Sequence, residues 1–248
     1  MASYDYISGK KRIKEILDNK LEVIESSKIP KDDNFTFSNA YYGWVTGIFV
    51  DIRDSTSLFS QEDKELVSKM IRSFTSEIIE ILRDDENIRE IGIRGDCVYA
   101  VYTTDKKDKI VDVYDKGCMI NTFMKMLNKL LTKKGLGNIK IGIGISSSQE
   151  LVIKAGRKGF GINNSVWIGD AVTKASNLSS LGNKNDYKTI VISHSTYFNI
   201  IDRLIKDYGN DAKAWFKKRN HDDFGTIYDG SVVMISFNEW IENGMKEN

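Results

Sequence analysis

The order of apolar runs in this 248-residue chain predicts an α+β fold: a ferredoxin-like βαββαβ core with an N-terminal helix and a C-terminal strand hairpin. Three observations predict it. The continuous apolar run Gly47-Ile-Phe-Val50 has the pattern of a central strand buried on both faces. Two long stretches of helical period, one after Ser60 and one over 107–133, bracket a Gly95-Asp96 hairpin signal within 88–102. Ile139, Ile141, Ile143 and Ile145 then alternate strictly with small or polar residues, as a further strand does.

Taken in order, residues 9–27 read as an amphipathic helix with Ile13, Ile16, Leu17, Leu21 and Ile24 on one face. Pro30, the only proline, follows it and opens a polar connector. Ser60-Gln-Glu-Asp63 resembles a capping box, and Leu66, Met70, Phe74, Ile78 and Leu82 form the stripe of the helix it starts. In the second long helix Val111, Met119, Phe123, Met126, Leu127 and Leu130 point inward, and Gly135 or Gly137 stops it. Gly142 and Gly144, on the other face of the alternating strand, imply that something packs closely there. Residues 149–154 read as another strand, leading into the glycine-rich, basic loop 155–161. A helix from Gly169 to Leu178, a strand at Tyr187–Ser193, a helix at Thr196–Lys206 and a hairpin turning at Asp229-Gly230 complete the chain. The boundaries expected are 1–40 for the N-terminal helix and connector, 41–206 for the main domain, and 207–248 for an extension packed on it.

Composition narrows the function. Hydrophobic residues make up 41% and charged residues 29%, a globular profile, and the net charge of +1 gives no global attraction for nucleic acid or an acidic membrane. No apolar run approaches the roughly 18 residues of a membrane span, and no signal-type segment opens the sequence, so a cytoplasmic protein is expected. Cys97 and Cys118 sit in apolar segments and read as reduced core thiols. His194 and His221 lack the spacing of a zinc site.

The chemistry is concentrated at Asp51 and Asp96, each placed where a hydrophobic strand meets a turn. A single strand-end aspartate is commonly a cap or turn former. Two on neighbouring strands repel each other unless cations sit between them, and a pair of oxygen-ligated divalent ions is suited to in-line attack on a phosphoryl group.

These motifs resemble the class III nucleotidyl cyclase homology domain. Phe-Val-Asp51-Ile-Arg-Asp-Ser-Thr56 resembles its first metal motif and Arg-Gly-Asp96-Cys-Val-Tyr-Ala100 its second; Val166-Trp-Ile-Gly-Asp-Ala-Val-Thr-Lys-Ala-Ser176 falls where that family has its transition-state helix. The resemblance implies two divalent cations, Mn²⁺ or Mg²⁺, held by Asp51, Asp96 and the carbonyl of Ile52. It implies a turn at Arg53, Ser55 and Thr56 that cradles phosphate, and a symmetric homodimer with composite sites. The family's transition-state asparagine and arginine fall on Thr173 and Asn177, and its purine-reading positions on Gly92 and Val166. Arg94 lies on the base side, and Lys154, Arg157 and Lys158 are candidates for triphosphate charge.

Gly92 and Val166 lack the donor and acceptor that a purine edge needs. The wording of 156–170, the N-terminal helix and the tail near Asn238-Glu-Trp240 are similar to the pyrimidine cyclases of bacterial anti-phage (Pycsar) systems. That resemblance implies conversion of UTP to a cyclic 3′,5′-monophosphate as a defence messenger, with CTP as the alternative substrate. A reading from another class is a nucleotide-binding pseudo-cyclase without turnover. It rests on loss of the asparagine–arginine pair, but retention of two aspartates that repel each other argues against it.

Overall fold

The structure is a computed structural model that describes residues 4–30, 35–55, 63–157 and 162–246. Its centre is β2 (Asn39–Ile52), flanked by the antiparallel strands β4 (Cys97–Thr103) and β5 (Ile141–Arg157). With α2 (Lys64–Arg83), β3 (Ile88–Arg94) and α3 (Lys107–Lys133), these elements form the expected βαββαβ unit. The sheet runs β3-β4-β2-β5-β7-β9-β8, where β7 is Ile190–Ser193, β8 Lys217–His221 and β9 Gly225–Gly230. Two further strands join it from the side: β1 (Glu22–Glu25) lies parallel to β2, and β6 (Ile162–Ile168) antiparallel to β5.

One face of the sheet carries the main core. The stripe of α2 buries Met70, Phe74, Ile78 and Leu82 at four-residue spacing, one above the other. Each contributes about 2 kcal/mol of apolar burial, and truncating Phe74 to alanine would cost roughly 3–5 kcal/mol. α3 adds Ile110, Val113, Tyr114, Cys118, Ile120, Phe123 and Leu127, and α5 (His194–Tyr208) adds Ile200 and Leu204. Ile48, Val50, Ile143 and Ile145 meet them from the sheet.

The other face is covered by α4 (Asp170–Ser179), and here Gly142 and Gly144 have the close neighbour that the sequence implied. A Cβ on Gly144 would collide with the carbonyl of Ala175, and one on Gly142 with the carbonyl of Ser179. The helix backbone therefore lies almost directly on the strand.

Several expectations are corrected. The N-terminal helix, α1, spans Tyr6–Asp18, with Asp5 as its cap, and ends well short of 27 because residues 22–25 pair with β2. Ile13, Ile16, Leu17 and Leu21 are exposed, so that apolar face is not packed against the core. α2 is capped by Asp63, whose carboxylate accepts from the Glu65 and Leu66 amides; Ser60–Glu62 lie outside the described residues. The two strands expected at 139–145 and 149–154 are one, since β2 pairs with it without a break from Ile141 to Ile153. Leu130 faces solvent, and the strand at 187–193 is only Ile190–Ser193. The C-terminal hairpin exists but turns between His221 and Gly225. Asp229 is fully buried against Arg219, which no exposed turn residue could be, and Ile235 begins a helix, α6 (Ile235–Glu242).

Candidate active site

Asp51 and Asp96 come together at one end of the sheet, on the face that α4 covers. Asp51 is the penultimate residue of β2 and pairs with Cys97, the residue after Asp96. Asp96 sits in the two-residue turn between β3 and β4, where Gly95 takes a φ of 63°. Burial, first, and then the neighbouring Asp96 carboxylate push the Asp51 carboxyl above its ordinary range, against the opposing pull of Arg53 and Lys184.

Arg53 is the nearest counter-charge. Its backbone N–H donates to the Lys140 carbonyl at 2.8 Å, and its buried side chain turns back so that Nη2 meets Asp51 and Nη1 donates to the Ser180 carbonyl at 2.7 Å. That guanidinium thereby ties the C-terminal end of α4 to the end of β2. The Arg53 amide is spent on the strand and is not free to cradle phosphate. Ser55, half-buried, begins a helical turn; Thr56 lies outside the described residues. Ile52 is buried and ends β2 opposite Ile141.

The donor set fits a hard divalent cation: two neighbouring carboxylates supply oxygen ligands, and the one soft group beside them is a protonated thiol. The adjacent Cys97 thiol is pushed up to about 12, by burial first and Asp51 second, so it stays protonated and non-nucleophilic.

Thr173 and Asn177 lie one turn apart on the exposed side of α4, away from the buried Ala171, Ala175 and Leu178. They face out of the protomer. Gly92 and Arg94 lie two residues apart on one face of β3, Arg94 exposed beside the turn; Val166 is exposed on β6. The Lys154 ammonium donates to the Phe35 carbonyl at 3.4 Å. Arg157 ends β5, and Lys158 lies outside the described residues. One protomer thus brings together Asp51, Asp96 and Arg53, while Thr173 and Asn177 present themselves outward. A separate cavity of about 1060 Å³, lined by Glu80, Asp84, Asp85, Asp112 and Asp115, lies on the α2–α3 side. Its carboxylates would repel a triphosphate.

Sequence reasoning missed Lys184, which acts on Asp51 from the loop after α4, and the pairing of Arg53 with Asp51. It also missed a cluster beside Gly92. The Tyr99 ring stacks on Phe49 at 5.0 Å and 11°, and its hydroxyl donates to Glu90 Oε1 at 2.6 Å. Trp167 Nε1 donates to Glu90 Oε2 at 2.6 Å. Period-two spacing puts Glu90 and Gly92 on one face of β3, the only signal of this cluster that the sequence carried.

Residues 38–210 match the Adenylate and Guanylate cyclase catalytic domain family. The chain belongs to the class III nucleotidyl cyclases. Among relatives, a uridylate cyclase of Treponema porcinum is 54% identical, the alignment covering 99% of this chain and 83% of that one. A uridylate cyclase of Gulbenkiania mobilis is 32% identical over 97% of this chain and 96% of its own length. Among solved structures, the adenylyl cyclase CyaB of P. aeruginosa superposes with a TM-score of 0.60 at 24% identity, covering 77% of this chain and 95% of that one, a likeness of fold. The cyclase has, among its described residues, no helix long and apolar enough to cross a membrane.

Proposed function

We propose that this cyclase converts UTP to cyclic 3′,5′-UMP and pyrophosphate, as a messenger in anti-phage defence, acting in the cytoplasm as a homodimer. The observation that carries the reading is the Asp51–Asp96 pair at the open end of the α4 face, in a chain 54% identical to a uridylate cyclase. CTP is the alternative substrate, since no residue here separates the O4 of uracil from the N4 of cytosine. We take 41–206 as the catalytic unit, with 1–40 and 207–248 as additions to it.

In this reading Asp51, Asp96 and the Ile52 carbonyl hold two divalent cations, Mn²⁺ or Mg²⁺. The ions, when bound, supply acidification of the ribose 3′-hydroxyl and neutralisation of the triphosphate. The 3′-oxygen forms a bond to the α-phosphorus as the bond to pyrophosphate breaks. Arg53 holds Asp51 in place, and Ser55 and Thr56 are the candidates for contact with phosphate oxygens. Lys154, Arg157 and Lys158 answer the triphosphate charge. Thr173 and Asn177, exposed on α4, line the α-phosphate of the opposite protomer's site, as a closed two-fold dimer allows. Their hydroxyl and amide are weaker partners for developing charge than an arginine. Gly92, Arg94 and Val166 border the base.

The test is incubation of the purified protein with all four nucleoside triphosphates and Mn²⁺, with cyclic products resolved by mass spectrometry. Cyclic UMP as the main product is expected. No cyclic product with any nucleotide would favour the nucleotide-binding pseudo-cyclase instead.

A further inference from the structure

The position from which a class III cyclase reads its base is, in this chain, physically closed. A Cβ built on Gly92 would stand 2.8 Å from two ring carbons and the hydroxyl oxygen of Tyr99, so residue 92 can carry no side chain while that ring stays where it is. The ring is held from three directions. Phe49 stacks against it. Its own strand, β4, fixes its backbone between Gly92 and Phe49. Its hydroxyl is committed to one oxygen of Glu90, whose other oxygen is taken by the Trp167 indole. Two donors at 2.6 Å on one carboxylate are short, charge-assisted bonds, and releasing either leaves a half-buried charge undersupplied.

The carboxylate also spans two separate parts of the chain. Glu90 lies two residues from Gly92 on the same face of β3, and Trp167 reaches it from β6, where the neighbouring Val166 points to the opposite, exposed side of the strand. We propose that Glu90, Tyr99 and Trp167 form a rigid clamp that sets the width of the base pocket and excludes purines by size. Tyr99 is the specificity-determining wall, and Glu90 and Trp167 position it. This inference rests on the base-side placement of Gly92 and Val166 given above.

The clamp selects by shape. The Tyr99 hydroxyl has spent its proton on Glu90, and each Glu90 oxygen already accepts one hydrogen bond, so the clamp has no donor left for a base. What it offers is a wall that cannot retreat. A flexible wall would yield to the second ring of a purine; a wall fixed at both ends refuses it, as close-packed interiors resist added atoms.

The experiment measures kcat/KM for UTP, CTP, ATP and GTP with the full-length wild type, Tyr99→Ala and Gly92→Lys/Tyr99→Ala. The readout is the purine-to-pyrimidine ratio, which a purely structural lesion would not move, because it lowers all four values together. Tyr99→Ala is expected to raise that ratio at least about tenfold, on the order of one relieved steric contact. The double variant, whose lysine enters the vacated space, is expected to raise ATP use further. Tyr99→Leu, which keeps apolar contact with Phe49 but withdraws the ring, carries the same test if Tyr99→Ala does not fold. A ratio within twofold of wild type in a folded, active Tyr99 variant overturns the clamp and leaves the uridylate cyclase reading intact. A wild type that prefers ATP or GTP overturns the pyrimidine reading, and the clamp falls with it.

Discussion

Two aspartate–arginine pairs in this molecule have the same chemistry and opposite meanings. Asp229 is fully buried and saturated: Arg219 Nε donates to it at 2.5 Å and the Lys188 amide at 2.9 Å, and Arg219 continues to Asp186 at 2.8 Å. Asp51 is only half-buried and has the Arg53 guanidinium on one oxygen, with another carboxylate, Asp96, at its side. The first pair stitches the β8–β9 hairpin to the loop before β7. The second lies half-open at the end of the central strand with a like charge beside it, as a site that receives cations must. A buried charge that is fully answered is structure; one that is under-answered beside a like charge is the better candidate for function.

The sharpest way to break this contrast is to remove each acid in turn. Asp51→Ala or Asp96→Ala should lower cyclase turnover at least about a thousandfold, equivalent to roughly 4 kcal/mol of barrier, with the urea midpoint little changed. Mixing Asp51→Ala protomers with Thr173→Ala/Asn177→Ala protomers should restore activity, because each heterodimer regains one intact composite site of its two. Failure of mixing to restore any turnover in verified heterodimers would mean that Thr173 and Asn177 serve their own protomer or none.

Asp229→Ala should do the reverse, costing about 3 kcal/mol of stability by leaving Arg219 poorly paired, while the folded fraction keeps its turnover. Urea unfolding followed by activity per folded molecule checks it. If Asp51→Ala destabilises as much as Asp229→Ala, the two pairs are equivalent and the contrast is lost.

The smallest effect sharpens the rule away from the site. On α3, burial first and then Asp112 and Asp207 push the Asp115 carboxyl up to about 6, with only Arg203 opposing them. A folded-state value raised above the unfolded one gives stability that is full below about pH 4 and is lost as pH rises through 6. Asp115→Asn should therefore raise the Tm by a few degrees at pH 8 and leave it unchanged at pH 4. An equal shift at both values would show that the aspartate is not held in a raised state.

Much of the fold was legible because it is local. The α2 stripe, the Gly95-Asp96 turn and the full extent of α3 follow from periodicity and turn chemistry, and Gly142 and Gly144 announced a close neighbour before α4 was known to be it. The misread parts depended on partners distant in sequence. Residues 22–25 became a strand because β2 offered an edge, and the hairpin turn moved because Asp229 found Arg219.

For the site, the sequence by itself determined the family, the positions of Asp51 and Asp96, and the loss of a side chain at residue 92, since each is written in contiguous motifs. Only the tertiary structure decided that Arg53 answers Asp51, that Lys184 adds to it, and that Tyr99, fixed by Glu90 and Trp167, fills the space over Gly92. The physical reason is that a charge pair or a steric wall is a relation between segments. Glu90 and Trp167 are 77 residues apart in the chain and 2.6 Å apart in the fold.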